Sequence, residues 1–541
     1  MTSPFRSGRR SMYGVSQKVP KPPRIVEDVI PQLGYSDIPD RRTQPGSILS
    51  GQNVWVRPGA WEPRSGQSQL GSNNILADEG VGTLTYNNIA GTQYSVIASK
   101  GTIGFLDGDT WAALTHQPSD SSNLPLAGGD DDNIFGTTVY LPRSDLNILA
   151  FTNGVDPVYA WDGPESSTSY SLLTGAPIVK DLTTFDNRLV TWNVTDLSNL
   201  SQLVQRTQWC VRGDIEDWTG IGSGFEDLLD MRGEGTRIFA EESEYLLFST
   251  EEVWRGRKIG LPFVFQHTPL DREKGMPYPR AAIQTQLGIF WLGRDFLVWN
   301  LSGGRIQQAG TDIQRTLERI LKDPGRAYFT WNGNRQHLTL HFTTTVGGDI
   351  NQAYTLYVPS GQWTRHAHTF EGTTGSSDLP TTTSSAVTWG GLVGTFAAQT
   401  LTYARMLSAS GGQRVDGAIS SNGTVYALHP SATSDAGTAI SQEITIRVLT
   451  DEPHRVKVVD MIRLQAGGGS TVSIGLSGDL GQTVPAETTV TLAEVPETSH
   501  QAVRPGAVSG VMPAVRLRTE STDTWISAGF QVEAVVRGPA V

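Results

Sequence analysis

At 541 residues with a formal net charge of −12, the chain is long enough for several domains and too acidic to grip nucleic acid over most of its surface, where Lys and Arg must neutralise phosphates. Its 59 Gly, 29 Pro and 14 Trp, with few Ala/Leu/Glu/Lys tracts, exclude a helical bundle and predict a turn-dense, all-β fold. No run approaches the ~18 apolar residues of a helical membrane span, no apolar leader follows Met1, and the one cysteine, Cys210, cannot form an internal disulfide, so a soluble protein made in a cytoplasm is expected.

Residues 1–47 read as an extended basic arm. Up to Arg24 it carries Arg6, Arg9, Arg10, Lys18, Lys21 and Arg24 with no acidic residue, and Pro20, Pro22 and Pro23 favour a polyproline conformation. Such a segment is either a solvated tail or a strap that docks on an acidic neighbouring subunit or on nucleic acid.

Residues 48–428 read as a β-propeller-like domain. Gln52-Asn53-Val54-Trp55-Val56-Arg57-Pro58-Gly59 and Arg64-Ser65-Gly66 frame two short strands, and Thr83–Thr85 pairs with Tyr94–Ala98. Thr102 to Trp111 is a strand, an Asp-Gly hairpin and a Trp-led strand, and a similar sequence returns at Val158–Gly163, Gly288–Trp299 and Ala327–Trp363. The recurrence, roughly every 40 to 60 residues, is the period of propeller blades, and six or seven candidates are present.

Within this domain Thr184–Trp192 alternates as one short strand, and Val194–Arg206 reads as a long surface insertion. A Gly213-Asp214-Ile215-Glu216-Asp217-Trp218 turn follows the next strand. Here the Arg188 fork can bridge the Asp214 or Asp217 carboxylate while Trp218 covers its stem, giving a structural lock. The plainer reading is an exposed arginine and an ordinary Asp-rich turn. Farther on, Ile313, Leu317, Ile320 and Leu321 share one helical face, with Asp312 to cap the start and Pro324-Gly325 to stop it, and the short helix is expected to plug an inter-blade junction or a subunit contact. Residues 429–541 alternate cleanly at Ile444–Val448, Val456–Val459, Met461–Leu464, Val472–Leu476, Val515–Arg518 and Phe530–Val535, and read as a β-sandwich-like domain or as the last sheets closing the propeller.

No stretch presents a catalytic or cofactor motif. Cys210 lacks the Gly-rich turn of a nucleophile and is best read as a buried filler beside Trp209. Ser477-Gly478-Asp479-Leu480-Gly481-Gln482-Thr483-Val484 has Asp-box spacing with Val484 in place of Trp, a structural turn. His337, His341, His366 and His368 could converge from neighbouring strands, but no acidic partner at fixed spacing makes them a metal set. Asp130-Asp131-Asp132 lacks calcium-loop spacing. Glu241, Glu242, Glu244, Glu251 and Glu252 surround one strand and could do acid/base work on a sugar, or form an exposed acidic rim.

Several of these stretches together resemble the tail nozzle (tail tube or hub) proteins of short-tailed bacteriophages: Asn53–Gly59 with Arg64-Ser65-Gly66, Phe185–Leu189, Gly213–Trp218, Pro262-Phe263-Val264-Phe265, Gly288–Leu292 and the closing Ser477–Thr483 turn. The likeness spans most of the chain beyond the arm, in short motifs. Cys210 and Val484 depart from it. It implies a propeller subunit of a homohexameric ring below the portal and adaptor, in a virion tail assembled in the host cytoplasm. The ring would anchor spike, fibre or needle proteins and let DNA through its lumen without specific binding, with no catalytic residue and no cofactor. An acidic wall suits such a duct, since it repels phosphates. The rivals are a glycan-active, sialidase- or lyase-like propeller, which needs convergent Arg and carboxylate residues at its centre, and a carbohydrate-binding adhesin.

Overall fold

The computed structural model describes residues 24–29, 48–57, 60–117, 126–129, 132–197, 200–310, 313–380, 414–428, 434–448, 455–467, 471–479, 484–485, 487–492, 500–504, 508–510, 513–519 and 526–539. The expectations for the rest of the arm, for Asp130, Asp131 and Asp312, and for residues 480–483 lie outside the described residues.

Among the described residues the chain is all-β apart from a 3-10 turn and one short helix, and it is propeller-like because residues 80–308 are a run of antiparallel meanders of four strands taken in strict chain order. Blade 1 comprises Gly80–Asn87, Gln93–Ser99, Ile103–Asp107 and Thr110–Ala113. Blade 2 comprises Phe135–Leu141, Leu146–Thr152, Tyr159–Trp161 and Ser169–Leu172, with Thr115–His116 added parallel at its edge. Blade 3 is Ile178–Phe185, Arg188–Thr195, Gln202–Trp209 and Gly224–Asp227; blade 4 is Gly235–Ala240, Glu244–Ser249, Val253–Lys258 and Phe265–Asp271; blade 5 is Ala282–Thr285, Gly288–Leu292, Val298–Ser302 and Arg305–Gln308. A continuous nine-stranded sheet holds two more units. Blade 6 is Tyr328–Asn332, His337–Phe342, Ile350–Tyr357 and the first half of Gln362–Pro380; blade 7 is the second half of that strand, Arg414–Ser420, Val425–Leu428 and Gln67–Gln69.

Blade 7 is therefore closed by a strand that precedes blade 1 in the chain. Its Ile419, Val425 and Ala427 pack with Ile97, Leu106 and Trp111 of blade 1, so the wheel has no open end. Separate apolar clusters fill five more junctions, blades 1 and 2, 2 and 3, 3 and 4, 4 and 5, and 5 and 6, while blades 6 and 7 share one sheet. Tryptophans seat in these junctions because the ring buries a large apolar area, and some of them also pass the indole N–H to a carbonyl across the seam. Trp192 of blade 3 is fully buried and donates to the Phe248 carbonyl of blade 4 at 2.8 Å. A Cβ on Gly235 would lie 2.6 Å from that indole, and one on Gly163 would lie 2.4 Å from the Tyr86 hydroxyl, which accounts for glycines facing aromatics at the blade seams.

Helix α1, Gln314–Ile320, sits where the sequence placed it. Ile313, Leu317 and Leu321 join Phe290 and Leu292 of blade 5 and Phe329 and Trp331 of blade 6 in one core. Its N-cap is Ile313, which makes no side-chain capping bond.

The expected start of the propeller at residue 48 is corrected by strand pairing. Ile48–Gln52 pairs with Gln442–Arg447, and Ala60–Pro63 with Ile526–Pro539, so residues 48–63 belong to a sandwich completed by the far end of the chain. One sheet runs Val54–Arg57, Ala60–Pro63, Ile526–Pro539, Arg455–Gly467 and His500–Val503, with Arg24–Val29 and Val508–Gly510 also attached; the facing sheet runs Ile48–Gln52, Gln442–Arg447, Ala514–Thr519, Thr471–Ser477 and Glu487–Thr491. Between them Trp61, Ile444, Ile462, Ile474, Val515 and Val532 form a continuous core. The described part of the expected arm, Arg24–Val29, is thus a sheet strand in register with Phe530–Val535. Near the expected boundary at 429, Ser434–Asp435 and Thr438–Ala439 extend the sheet of blade 7.

Candidate functional site

Asp186 and Asn187 have φ of 52° and 54° and make a two-residue hairpin turn, so Thr184–Trp192 is the end of one strand and the start of the next rather than a single strand. The turn sets Asp186 beside Arg188, and their side chains pair directly. Arg188 is buried, its Nε reaches the Gly222 carbonyl at 3.4 Å, and its guanidinium lies 6.0 Å from the Phe265 ring. It bridges neither Asp214 nor Asp217. A carboxylate two residues away across a tight turn loses far less chain entropy on pairing than one in a distant loop. Asp186 instead collects three cations, with Lys258 at 2.7 Å and Arg212 at 3.5 Å besides Arg188. The Asp-Asn pair between alternating runs was the signal for this turn.

Asp214 is bound by Arg143 of blade 2 at 2.7 Å. Asp217 accepts the amides of Thr219 (3.1 Å) and Gly220 (2.7 Å), which hold its carboxyl below the usual carboxylate range. Trp218 is buried, but in the seam of blades 2 and 3 among Val139, Leu182 and Ile215, not over an Arg188 stem. The four residues therefore sit in four separate arrangements rather than in one lock. Gln202–Trp209 is a strand, so the expected insertion is only a short turn around residue 200.

Cys210 is fully buried in the same seam, accepts the Leu189 amide at 3.1 Å, and burial pushes its thiol up to about 11. A thiol reagent at pH 8 is expected to leave the native chain unmodified and to label one group per chain in urea; stoichiometric labelling of native protein would contradict this burial.

His337, His341 and His366 are buried on two strands of blade 6 that flank Ile350–Tyr357, with His341 and His366 in register with the same Ala353. The side chain of His368 lies outside the described residues. His341 stacks on Tyr328 at 4.6 Å and meets the Thr330 hydroxyl at 3.0 Å, His366 meets the Thr364 hydroxyl at 3.1 Å, and Trp55 of the sandwich packs edge-on to His337 at 5.0 Å. These imidazoles build the joint between sandwich and wheel; no group of metal ligands forms among the described residues. Of the five glutamates, Glu244 and Glu252 are buried at opposite ends of Glu244–Ser249, paired with Arg257 (2.6 Å) and Arg232 (2.7 Å), so they neither converge nor form a rim. Burial opposes ionisation of Glu252, yet hydrogen bonds from Arg232 and Trp254 prevail and hold its carboxyl below its ordinary value. In the Asp-box segment the Ser477 hydroxyl donates to the Asp479 carboxylate and accepts the Asp479 amide at 3.2 Å.

The least expected feature is apolar and exposed. Eight of the twelve large hydrophobics most exposed among the described residues fall between Leu197 and Phe263, on blades 3 and 4. Ile221 is 91% exposed, Leu229 83% and Phe263 74%, with Phe225, Ile259 and Leu261 also open. Ile221 adjoins the Gly222 carbonyl held by Arg188, and Ile259 follows the Lys258 held by Asp186, so the ion cluster at Asp186 binds the two loops side by side. Phe263 was legible as a motif residue, but nothing in its spacing marked it as exposed.

No family model and no curated protein matches the chain. Among solved structures, it is similar to "BBS1N in complex with ARL6DN" (10% identity, 69% of this chain and 98% of that one, TM-score 0.37). It is also similar to "BamB from Moraxella catarrhalis" (12%, 74% and 97%, TM-score 0.33) and to "Chaetomium thermophilum Raptor" (9%, 68% and 29%, TM-score 0.40).

Proposed function

We propose that this chain is a structural subunit of the tail nozzle of a short-tailed bacteriophage, one of six copies in a ring below the portal and adaptor. DNA leaves through the lumen without specific binding, and spike, fibre or needle proteins attach outside. The role is non-enzymatic and needs large, rigid subunit contacts rather than a reactive side chain.

The observation that carries this reading is the apolar margin of blades 3 and 4. On the two loops joined at Asp186, Ile221, Ile259, Leu261 and Phe263 are 54–91% exposed, and a grouping of large open apolar side chains marks an interaction surface. Left in water, such a surface forgoes ~25 cal/mol per Å² and invites aggregation. The motif likeness supplies the kind of assembly, and the net charge of −12 suits a duct that DNA must not adhere to. Mass photometry of the purified chain, alone and with portal and adaptor rings, tests the reading. The wild type is expected to assemble into a ring of about six copies. Leu261→Asp with Phe263→Asp is expected to stay monomeric with unchanged circular dichroism and thermal unfolding, because both positions lie on an exposed loop. A wild-type chain that remains monomeric with both rings present and cleaves a polysaccharide would end the proposal.

A further inference from the structure

Between blades 4 and 5 lies a cleft of about 460 Å³, within the ~300–1,000 Å³ range of small-molecule sites. Its lining is unusual for so acidic a chain. Arg232, Arg272, Lys274 and Arg294 enter it, and two of them share a single buried carboxylate: Glu252 is 2.7 Å from Arg232 and 3.6 Å from Arg272. Lys274 pairs with Asp271 at 3.2 Å, and its ammonium stands 5.1 Å from the centre of the Trp299 ring. Arg294 is exposed at the mouth and makes no ion pair or hydrogen bond among the described residues. Around these cations sit Glu251 and Glu273, which act on Arg232 through space but make no direct ion pair among the described residues, and the Thr250 hydroxyl.

Each part selects against a simpler ligand. A bare inorganic anion gains from the cations but is repelled by Glu251 and Glu273 at the rim. A neutral sugar can donate hydroxyls to those carboxylates but leaves Arg294 unused. A ligand carrying both an acid group and several hydroxyls satisfies both: guanidiniums take the carboxylate in paired hydrogen bonds, carboxylates take the hydroxyls, and the half-buried Trp299 offers apolar ring surface. We infer that this cleft is a binding site for an acidic saccharide, a hexuronate unit of a polymer, with Arg294 as the residue that reads the acid group. None of the exposed apolar side chains lines the cleft, and the site does not depend on the ring assembly.

Calorimetric titration of the full chain with a glucuronate tetrasaccharide, a neutral glucose tetrasaccharide and inorganic phosphate tests it. The uronate is expected to bind at least about tenfold tighter than the neutral sugar, with phosphate weaker than both, and Arg294→Ala is expected to remove most of that preference while Arg294→Lys retains part of it. Arg294 is exposed, so these variants keep the fold, which circular dichroism checks. Equal binding of acidic and neutral sugars, no uronate binding, or unchanged uronate affinity in Arg294→Ala overturns the inference; phosphate as tight as uronate reduces the cleft to a simple anion site and overturns the saccharide assignment.

Discussion

Arg64→Ala is expected to cost about 3–5 kcal/mol and to uncouple the sandwich from the wheel, because it removes the arginine of a fully buried ion pair and leaves the Asp435 carboxylate buried without that cation. Arg64 and Asp435 have side chains 2% and 0% exposed, and the guanidinium grips the carboxylate through both terminal nitrogens. It also donates to the Asn53 side chain (3.0 Å) and to the carbonyls of Ser65 (3.0 Å) and Ala367 (3.2 Å). Asn53, held at φ 61°, completes the knot by accepting the Ala367 amide (3.0 Å) and donating to the Ser441 carbonyl (2.8 Å). One cluster thus ties the strand that leaves the sandwich to blade 6, to blade 7 and to the strand that returns. The two units are expected to unfold in one urea transition in the wild type and in two in Arg64→Ala. Asp435→Ala should cost nearly as much, and the double variant far less than the sum, since the singles share one interaction. A cost under about 1 kcal/mol, or strict additivity, would refute the assignment of this pair as the coupling element. Arg64→Lys should fall between, because an ammonium keeps the charge but loses the fork.

This knot also shows what the sequence could and could not disclose. Asn53 and Arg64 were visible as motif residues flanking short strands, because a non-glycine turn former and a lone arginine between apolar runs are local signals. Their partners were not visible, since Asp435 lies 371 residues away. The same limit misplaced residues 48–63: alternation names a strand but not the sheet it joins, and Ile48–Gln52 has the period of a blade strand while pairing with Gln442–Arg447. The all-β class, the blade period and the α1 junction were legible because glycine, tryptophan and turn residues repeat on the scale of one supersecondary unit. Burial of charge was not. Glu244 and Glu252 look like surface residues in composition, and only the arginines opposite them, Arg257 and Arg232, make their burial tolerable.

At the wheel's inner strands, Arg237→Ala is expected to be as damaging at neutral pH as loss of the sandwich joint, and to show a pH dependence that the wild type lacks in size. Asp181, on the inner strand of blade 3, is 2% exposed; it accepts Arg237 of blade 4 at 2.7 Å, the Ile238 amide at 2.9 Å and the Leu182 amide at 2.8 Å. Arg237 in turn donates to the Pro279 carbonyl at 2.8 Å and lies 3.8 Å from the Phe135 ring of blade 2, so one guanidinium touches three successive blades' inner strands and the entry to the next. Burial pushes the Asp181 carboxyl above its ordinary range, while Arg237 and the two amides pull it back only in part. A folded pKa above the unfolded value means that the native state binds the extra proton, so this group's stabilisation is full below the unfolded pKa and is lost as pH rises through the folded one. Removing Arg237 takes away the strongest opposing charge and widens that window upward. The variant should therefore lose about 3–5 kcal/mol near pH 7, the cost of stranding a buried charge, and recover a measurable part of it as pH falls toward 5, whereas the wild type gains less over the same interval. Asp181→Asn in the Arg237→Ala background should abolish the recovery, because the amide cannot take up the proton. Urea denaturation at pH 5, 6 and 7 distinguishes these outcomes, and parallel pH profiles for wild type and Arg237→Ala would show that Asp181 does not carry the charge that this seam is built to hold.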